Sequence, residues 1–180
     1  DNDRIPSVLL AWQAGIEGGL ATADLLCGDA TPSGKLTDTF AKSFDDYPSS
    51  ATFNESEDYV EYLEDIYVGY RYFETIPGAA ARVNYPFGYG LSYTTFAITE
   101  QTLSLFHDTV EMSALVTNTG HFSGKEVLQA YYSAPQGKLG KPAKVLAAFH
   151  KTALLAPGES ERIVLTFPVT QMASYDDLGA

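Results

Sequence analysis

The chain is poor in cysteine, in positive charge and in long apolar runs. Its 180 residues include one cysteine, Cys27, so no disulfide can form within the chain. Eleven Lys and Arg residues stand against 23 Asp and Glu, which gives a net charge of −12. Nucleic acids and anionic membranes bind basic faces, and no apolar run here is long enough to span a bilayer. The sequence therefore predicts no nucleic-acid partner and no membrane, while a neutral ligand such as a sugar is compatible with this charge.

The single cysteine also bears on location and chemistry. Cys27 follows an apolar helical pattern and has no His, Asp or Glu beside it that would activate a thiolate, so we predict a buried core thiol. An unpaired cysteine is more typical of a reducing cytoplasm, which favours that location and leaves secretion open. The chain opens on Asp1 without an initiator methionine, and we interpret it as the interior of a longer protein.

Residues 1–50 have an α/β pattern. The apolar run at 8–12 (Val-Leu-Leu-Ala-Trp) predicts a buried strand, in which Trp12 packs in the core. Small and apolar residues over 17–26 predict a short helix that ends at Gly28. The alternation over 35–40 indicates a further short strand. We interpret 1–50 as the C-terminal part of an α/β sandwich domain.

Residues 51–95 read as a connector, acidic at first and then aromatic. No Lys or Arg occurs between Lys42 and Arg71, whereas Asp and Glu are dense over 55–65. Paired carboxylates can perform general acid–base chemistry, but no apolar pocket is evident around this cluster, so we predict a solvated face. For Arg71, set among tyrosines, we predict a structural role through ion pairing or ring stacking.

Residues 96–180 have an all-β pattern. Apolar alternation and turn residues predict strands at 97–105, 110–117, 125–133, 144–154 and 160–167. This spacing is typical of a β-sandwich, and a complete one has about seven strands. We therefore expect truncation at the C-terminus, and uncovered apolar side chains such as those of Val8, Leu10 and Phe167.

A few smaller features give specific expectations. Gly88 and Gly90 stand between bulky aromatics, which predicts a positive φ or a close backbone approach. The basic loop 138–144 is expected to be solvated by default, or to contact the acidic connector or another domain. The three histidines, at 107, 121 and 150, lack ligand spacing, so we assign no metal site.

Four groups of phrases, in order along the chain, resemble glycoside hydrolase family 3 of the β-glucosidase type. They are 12–19 (Trp-Gln-Ala-Gly-Ile-Glu-Gly-Gly) with 23–28 and 32–36 (Pro-Ser-Gly-Lys-Leu); 64–73 (Glu-Asp-Ile-Tyr-Val-Gly-Tyr-Arg-Tyr-Phe); 85–96 (Tyr-Pro-Phe-Gly-Tyr-Gly-Leu-Ser-Tyr-Thr-Thr-Phe); and 116–120 (Val-Thr-Asn-Thr-Gly) with 124–127 and 155–160. The resemblance extends over essentially the whole chain. One departure is Thr37, where many members have proline.

The resemblance implies a fold and a chemistry. Family members of this type carry a (β/α)8-like barrel, then an α/β sandwich, then a fibronectin-III-like sandwich; 96–180 would be most of the last. The implied reaction is retaining hydrolysis of terminal β-linked sugars by two carboxylates. The nucleophile Asp and the acid/base Glu are expected upstream of Asp1, so no catalytic residue is assigned within the chain, which alone is expected to be inactive. No cofactor is implied, and substrate-binding residues stay unassigned. The implied partners are the barrel, the rest of the α/β sandwich and a β-glycoside substrate.

The alternative is a non-catalytic carbohydrate-binding or adhesion module built on the β-sandwich. Residues 1–50 discriminate between the two, because an adhesion module has no need of a strand that is buried only against a larger sheet.

Overall fold

The computed structural model describes residues 4–176 and 179. Its two α-helices lie in the first half of the chain and its long strands in the second. The helix α1 spans Gly18–Cys27 and ends at Gly28, whose φ of 84° is the left-handed conformation that suits glycine. This end point confirms the prediction. The two-residue strand β1, Phe40–Ala41, pairs antiparallel with β2, Val83–Tyr85. Of the strand predicted at 35–40, only Phe40 lies in a strand, together with the following residue Ala41.

The predicted buried strand at 8–12 is wrong. Residues 5–12 form no strand, and Val8 and Trp12 are each 70% exposed. A strand is held by hydrogen bonds to a neighbour, and no other strand of the described residues pairs with this segment. Trp12 has a positive φ, and its ring lies at an angle of 70° to the Phe40 ring, with the ring centroids 6.5 Å apart. The expectation that Val8 and Leu10 are uncovered is confirmed.

The helix α1 exposes nearly all of its surface. Gly18 is its one buried residue, and Leu20 and Leu26 are exposed. The prediction of a buried core thiol is also wrong, because Cys27 is exposed. The helix pattern predicted local structure correctly, but burial depends on partners that no other described residue provides.

Five strands form two antiparallel sheets in the described part of the second half. Their bounds are β3 Phe96–Phe106, β4 Thr109–Asn118, β5 Val127–Tyr132, β6 Val145–Lys151 and β7 Ser160–Pro168. One sheet has the order β3-β4-β7, and the other pairs β5 with β6. Each predicted strand is present. An α/β segment followed by a fibronectin-III-like sandwich is thereby confirmed as the fold class.

The two sheets share one apolar core. Val116 from β4, Ala130 from β5 and Ile163 from β7 are buried together with Leu155, which lies between β6 and β7. Burial alternates along β7, as expected for a strand with one face on the core. Phe167 belongs to that inner face and is 5% exposed, so the expectation that it would be uncovered is wrong.

Candidate functional site

The connector between the two halves carries a second helix that contacts the β-sandwich. This helix, α2, spans Tyr70–Thr75 and begins after Gly69, whose φ of 58° and ψ of −128° suit only glycine. The Tyr70 ring lies 4.8 Å from the Phe87 ring and 5.9 Å from the Tyr131 ring on β5. Its hydroxyl accepts a hydrogen bond of 2.8 Å from the backbone N–H of Leu146 on β6. One side chain of the connector thus binds both strands of the smaller sheet.

A partly buried ion pair joins the α/β segment to the sandwich. Lys35 Nζ lies 2.9 Å from Glu126 Oε1, and both side chains are only 17% exposed. The same ammonium donates to the backbone oxygen of Gly90 at 2.9 Å. Since Lys35 belongs to the first family-like phrase, Gly90 to the third and Glu126 to the fourth, this contact brings three phrases together.

Two glycines lie close to other parts of the chain in this region, and the prediction made for them is confirmed. Gly88 has a φ of 81°, and a Cβ there would lie 2.7 Å from Gln129 Oε1. Gly90 has no positive φ, but a Cβ at this position would collide with the backbone oxygen of Gly34. Position 88 needs glycine because of its positive φ, and position 90 needs glycine because the backbone of Gly34 lies so close to it.

A buried asparagine anchors the start of the sandwich. Asn118 is fully buried, and its Oδ1 accepts hydrogen bonds from Thr94 Oγ1 at 2.7 Å and from the Gly120 N–H at 3.1 Å. Its Nδ2 donates to the backbone oxygens of Phe122 and Leu155, both at 2.8 Å. Every polar atom of the amide therefore has a partner, as burial requires. Asn118 belongs to the fourth family-like phrase, 116–120, but no pattern in the sequence indicated this role.

The C-terminal end of the basic loop 138–144 contacts the connector, so the default expectation of a solvated loop is wrong there and its alternative, a contact with the connector, is the one observed. Lys144 Nζ lies 2.7 Å from Glu74 Oε1 on α2 and 5.2 Å from the centre of the Tyr131 ring. The backbone N–H of Ala143 donates to Thr75 Oγ1 at 2.8 Å.

We call the region where α2 and residues 35 and 88–90 contact the sandwich the junction. Burial at this junction raises the pKa of one tyrosine. Burial, with smaller contributions from Tyr70 and Glu74, raises the pKa of Tyr131 to about 12. The Tyr131 hydroxyl donates to Gln129 Oε1 at 2.8 Å, a bond that only the neutral phenol can make. The environment thus holds Tyr131 neutral.

The other candidate residues do not assemble into a catalytic or metal site. The carboxylates over 55–65 are exposed apart from a half-buried Glu64, as expected of a solvated face. Arg71 lies 6.0 Å from the Tyr70 ring centre, which agrees with the stacking alternative. Among residues 4–176 and 179, no three His, Cys, Asp or Glu side chains are placed to hold a metal ion. No helix in that part of the chain combines the length and apolarity that a membrane crossing needs.

The fold and the junction define an α/β segment fastened to a fibronectin-III-like sandwich through an aromatic connector. The sequence model described as "Glycosyl hydrolase family 3 C-terminal domain" matches residues 1–93, and the one described as "Fibronectin type III-like domain" matches 126–179. The chain belongs to glycosyl hydrolase family 3.

Its relatives are named β-glucosidases and are much longer. The chain is 58% identical to β-glucosidase A of Butyrivibrio fibrisolvens, with 99% of the chain and 23% of that relative covered. It is 47% identical to a β-glucosidase of Ruminococcus albus, with 96% and 18% covered. The chain therefore spans about a fifth of the length of these relatives.

Solved structures agree with this assignment. A β-glucosidase from Paenibacillus barengoltzii superposes with a TM-score of 0.83 at 58% identity, over 90% of this chain and 18% of that one. β-Glucosidase 3B from Thermotoga neapolitana, solved with glucose, superposes with a TM-score of 0.85 at 47% identity, over 93% and 23%.

Proposed function

We propose that this chain is the non-catalytic C-terminal part of a β-glucosidase that removes terminal β-linked sugars with retention of configuration. The observation that carries the proposal is the match of 99% of the chain, at 58% identity, to 23% of a β-glucosidase. The nucleophile Asp and the acid/base Glu, which retaining enzymes hold about 5–5.5 Å apart, would lie upstream of Asp1 in a barrel and in the first part of the α/β sandwich.

The proposal divides the chain into three parts. Residues 1–50 are the C-terminal part of an α/β sandwich domain, and residues 51–95 are the connector between the two domains. Residues 96–180 form a fibronectin-III-like domain that is truncated at its C-terminus. The change from helices and short strands to long antiparallel strands at Phe96 supports the second boundary. The exposed faces of 5–12 and α1 support the first part, since their apolar side chains would be covered by the remainder of that domain.

The role we propose for the chain is to hold the sandwich at a fixed position on the catalytic domains. The Lys35–Glu126 ion pair and the two hydrogen bonds from 143 and 146 to α2 support this role, because each ties one half of the chain to the other. Contacts of this kind restrict hinge motion between domains, which is otherwise the default expectation.

The test is made on the product of the complete open reading frame that contains the chain. We expect it to hydrolyse aryl β-glucosides, and we expect NMR of the first-formed sugar to show the β-anomer. An α-anomer as the first product would contradict retention. A reading frame that encodes repeated β-sandwiches and no hydrolase activity would favour the carbohydrate-binding or adhesion alternative.

A further inference from the structure

A run of large apolar side chains lies exposed between β1 and α2, over residues 53–66, which we call the connector segment. Phe53, Tyr59, Val60, Tyr62 and Leu63 are each more than half exposed, and Tyr62 reaches 86%. Single apolar residues are ordinary on a protein surface, whereas a dense group of them marks a surface that binds another surface. The connector segment therefore has the composition of a docking surface.

The backbone of the connector segment has little support of its own. Among the described residues, no backbone oxygen accepts a hydrogen bond from an N–H between 56 and 64. The N–H of Asp58 donates to Ser56 Oγ at 3.1 Å, which is a contact within the segment. Both flanks are fixed, because the Tyr47 hydroxyl donates to the Thr39 oxygen and the Tyr70 hydroxyl accepts from β6. A stretch with so few contacts opens easily, so a surface that covered it would stabilise it.

Charge restricts which surface can cover the segment. Six carboxylates lie over 55–65, and no Lys or Arg occurs between Lys42 and Arg71. None of the six forms an ion pair with a described residue. A second copy of the chain is unsuited, because a symmetric contact places the same acidic patch on both sides and each copy carries a net charge of −12. The partner has to offer basic groups beside an apolar surface.

The rest of the enzyme is the partner that fits these requirements. The chain covers only 23% and 18% of its β-glucosidase relatives, so most of their length has no counterpart in it. The C-terminal-domain model matches residues 1–93 and thus includes the connector segment. The exposed faces of 5–12 and α1, which belong to the same matched region, also lack a covering surface among the described residues.

We propose that the connector segment docks onto the catalytic part of the same polypeptide, on a surface that is apolar at its centre and basic at its margin. Tyr62 and Leu63 are its apolar anchors, and the carboxylates over 55–65 are its charged contacts. The proposal rests on the function proposed above, because its partner is the remainder of that enzyme.

Hydrolysis of the peptide bond after Glu55 by a glutamyl endopeptidase measures whether the segment is covered. Water adds across this bond and leaves a carboxylate at Glu55 and an amine at Ser56. We expect the bond to be cleaved at least about tenfold faster in the chain, with its folded state checked by circular dichroism, than in the product of the complete reading frame. Equal rates would overturn the proposal.

Salt tests the charged contacts. Ions screen attraction between opposite charges, so we expect the difference in cleavage rate between the chain and the complete product to shrink as salt is raised. Comparing the two proteins at each salt concentration removes the effect of salt on the protease itself. A difference that does not respond to salt would overturn the basic margin.

A double variant of the complete product tests the apolar anchors without relying on the isolated chain. Tyr62→Ser with Leu63→Ser should accelerate cleavage after Glu55 at least about tenfold, which corresponds to about 1.4 kcal/mol of docking free energy. Tyr175→Ser is the matched control, because Tyr175 is 81% exposed and lies outside the segment, and it should leave the rate unchanged. A double variant that is cleaved no faster than the unmodified product would overturn the role of the anchors.

The hydrolysis of an aryl β-glucoside, measured on the same complete product, separates this proposal from the proposed function. An active product whose connector segment is cleaved as fast as in the chain would overturn the docking alone. An inactive product whose segment is protected would support the docking and overturn the proposed activity.

Discussion

Replacing Asn118 by alanine should be the most damaging single change in the sandwich. The amide makes four hydrogen bonds at full burial, and alanine deletes all of them. At about 1 kcal/mol net per bond, the sum is about 4 kcal/mol. The N–H of Gly120 and the oxygen of Phe122 are only partly buried and can turn to water, which lowers the expected loss of unfolding free energy to about 3 kcal/mol. Against a total stability of about 5–15 kcal/mol, this is a large fraction.

Urea unfolding of the chain, followed by circular dichroism, measures that loss. The matched control is Thr119→Ala, which removes the adjacent hydroxyl at an exposed position, where it lies 3.0 Å from Thr95 Oγ1. We expect the control to change stability by no more than about 0.5 kcal/mol. Asn118→Asp keeps the shape and the acceptors but loses both donated bonds, so it should also destabilise. A loss under about 1 kcal/mol for Asn118→Ala would refute the reasoning, since one such bond alone is worth that much.

Three further changes probe the junction. Gly90→Ala should destabilise the chain by about 1–3 kcal/mol, because its Cβ would collide with the backbone oxygen of Gly34. Lys35→Met should cost about 1–3 kcal/mol in urea unfolding, since it leaves the partly buried Glu126 without its counter-ion. Tyr131 remains protonated in the folded chain up to its pKa of about 12, whereas an unfolded tyrosine ionises near 10. The folded state then binds more protons than the unfolded state, so stability should fall as pH rises from about 10 to 12, and Tyr131→Phe should flatten that fall.

Each of these changes has a control on an open surface. Gly137→Ala adds a Cβ with nothing within 4 Å, and it should leave stability nearly unchanged. Lys138→Met removes a lysine that is 76% exposed in its ion pair, and it should have little effect. Tyr175→Phe at an 81% exposed position should not alter the alkaline fall. If a control variant had as large an effect as the junction variant that it is matched with, the effect could not be assigned to the contact at the junction.

Local patterns predicted the sandwich well because its strands find their hydrogen-bonding and packing partners within the chain. The alternation at 110–117 and 160–167 corresponds to β4 and β7, which pair along their length around the buried core. A period of two specifies which face is buried once a partner strand is present.

The same patterns failed for two segments that have no packing partner among the described residues. The run at 8–12 has the composition of a buried strand, yet among the described residues it has no partner and remains exposed. The thiol of Cys27 is exposed for the same reason. Propensity thus predicted the helix α1 but not the exposure of its apolar side chains.

The junction could be predicted only in part. The glycines at 88 and 90 signalled a close approach. For the basic loop, the contact with the connector was only the alternative to a solvated loop. The short helix α2 was missed, because six residues are too few to show a helical period among so many aromatics. The pairing of Lys35 with Glu126, 91 positions away, carries no local signal.

The most direct test of the central claim is the release of aryl alcohol from an aryl β-glucoside by the purified chain, compared with the product of its complete reading frame. We expect turnover by the complete product and none by the chain above a mock preparation, because both catalytic carboxylates would lie upstream of Asp1. Turnover by the chain itself, purified free of contaminating hydrolase, would contradict the claim that it is the non-catalytic part of the enzyme.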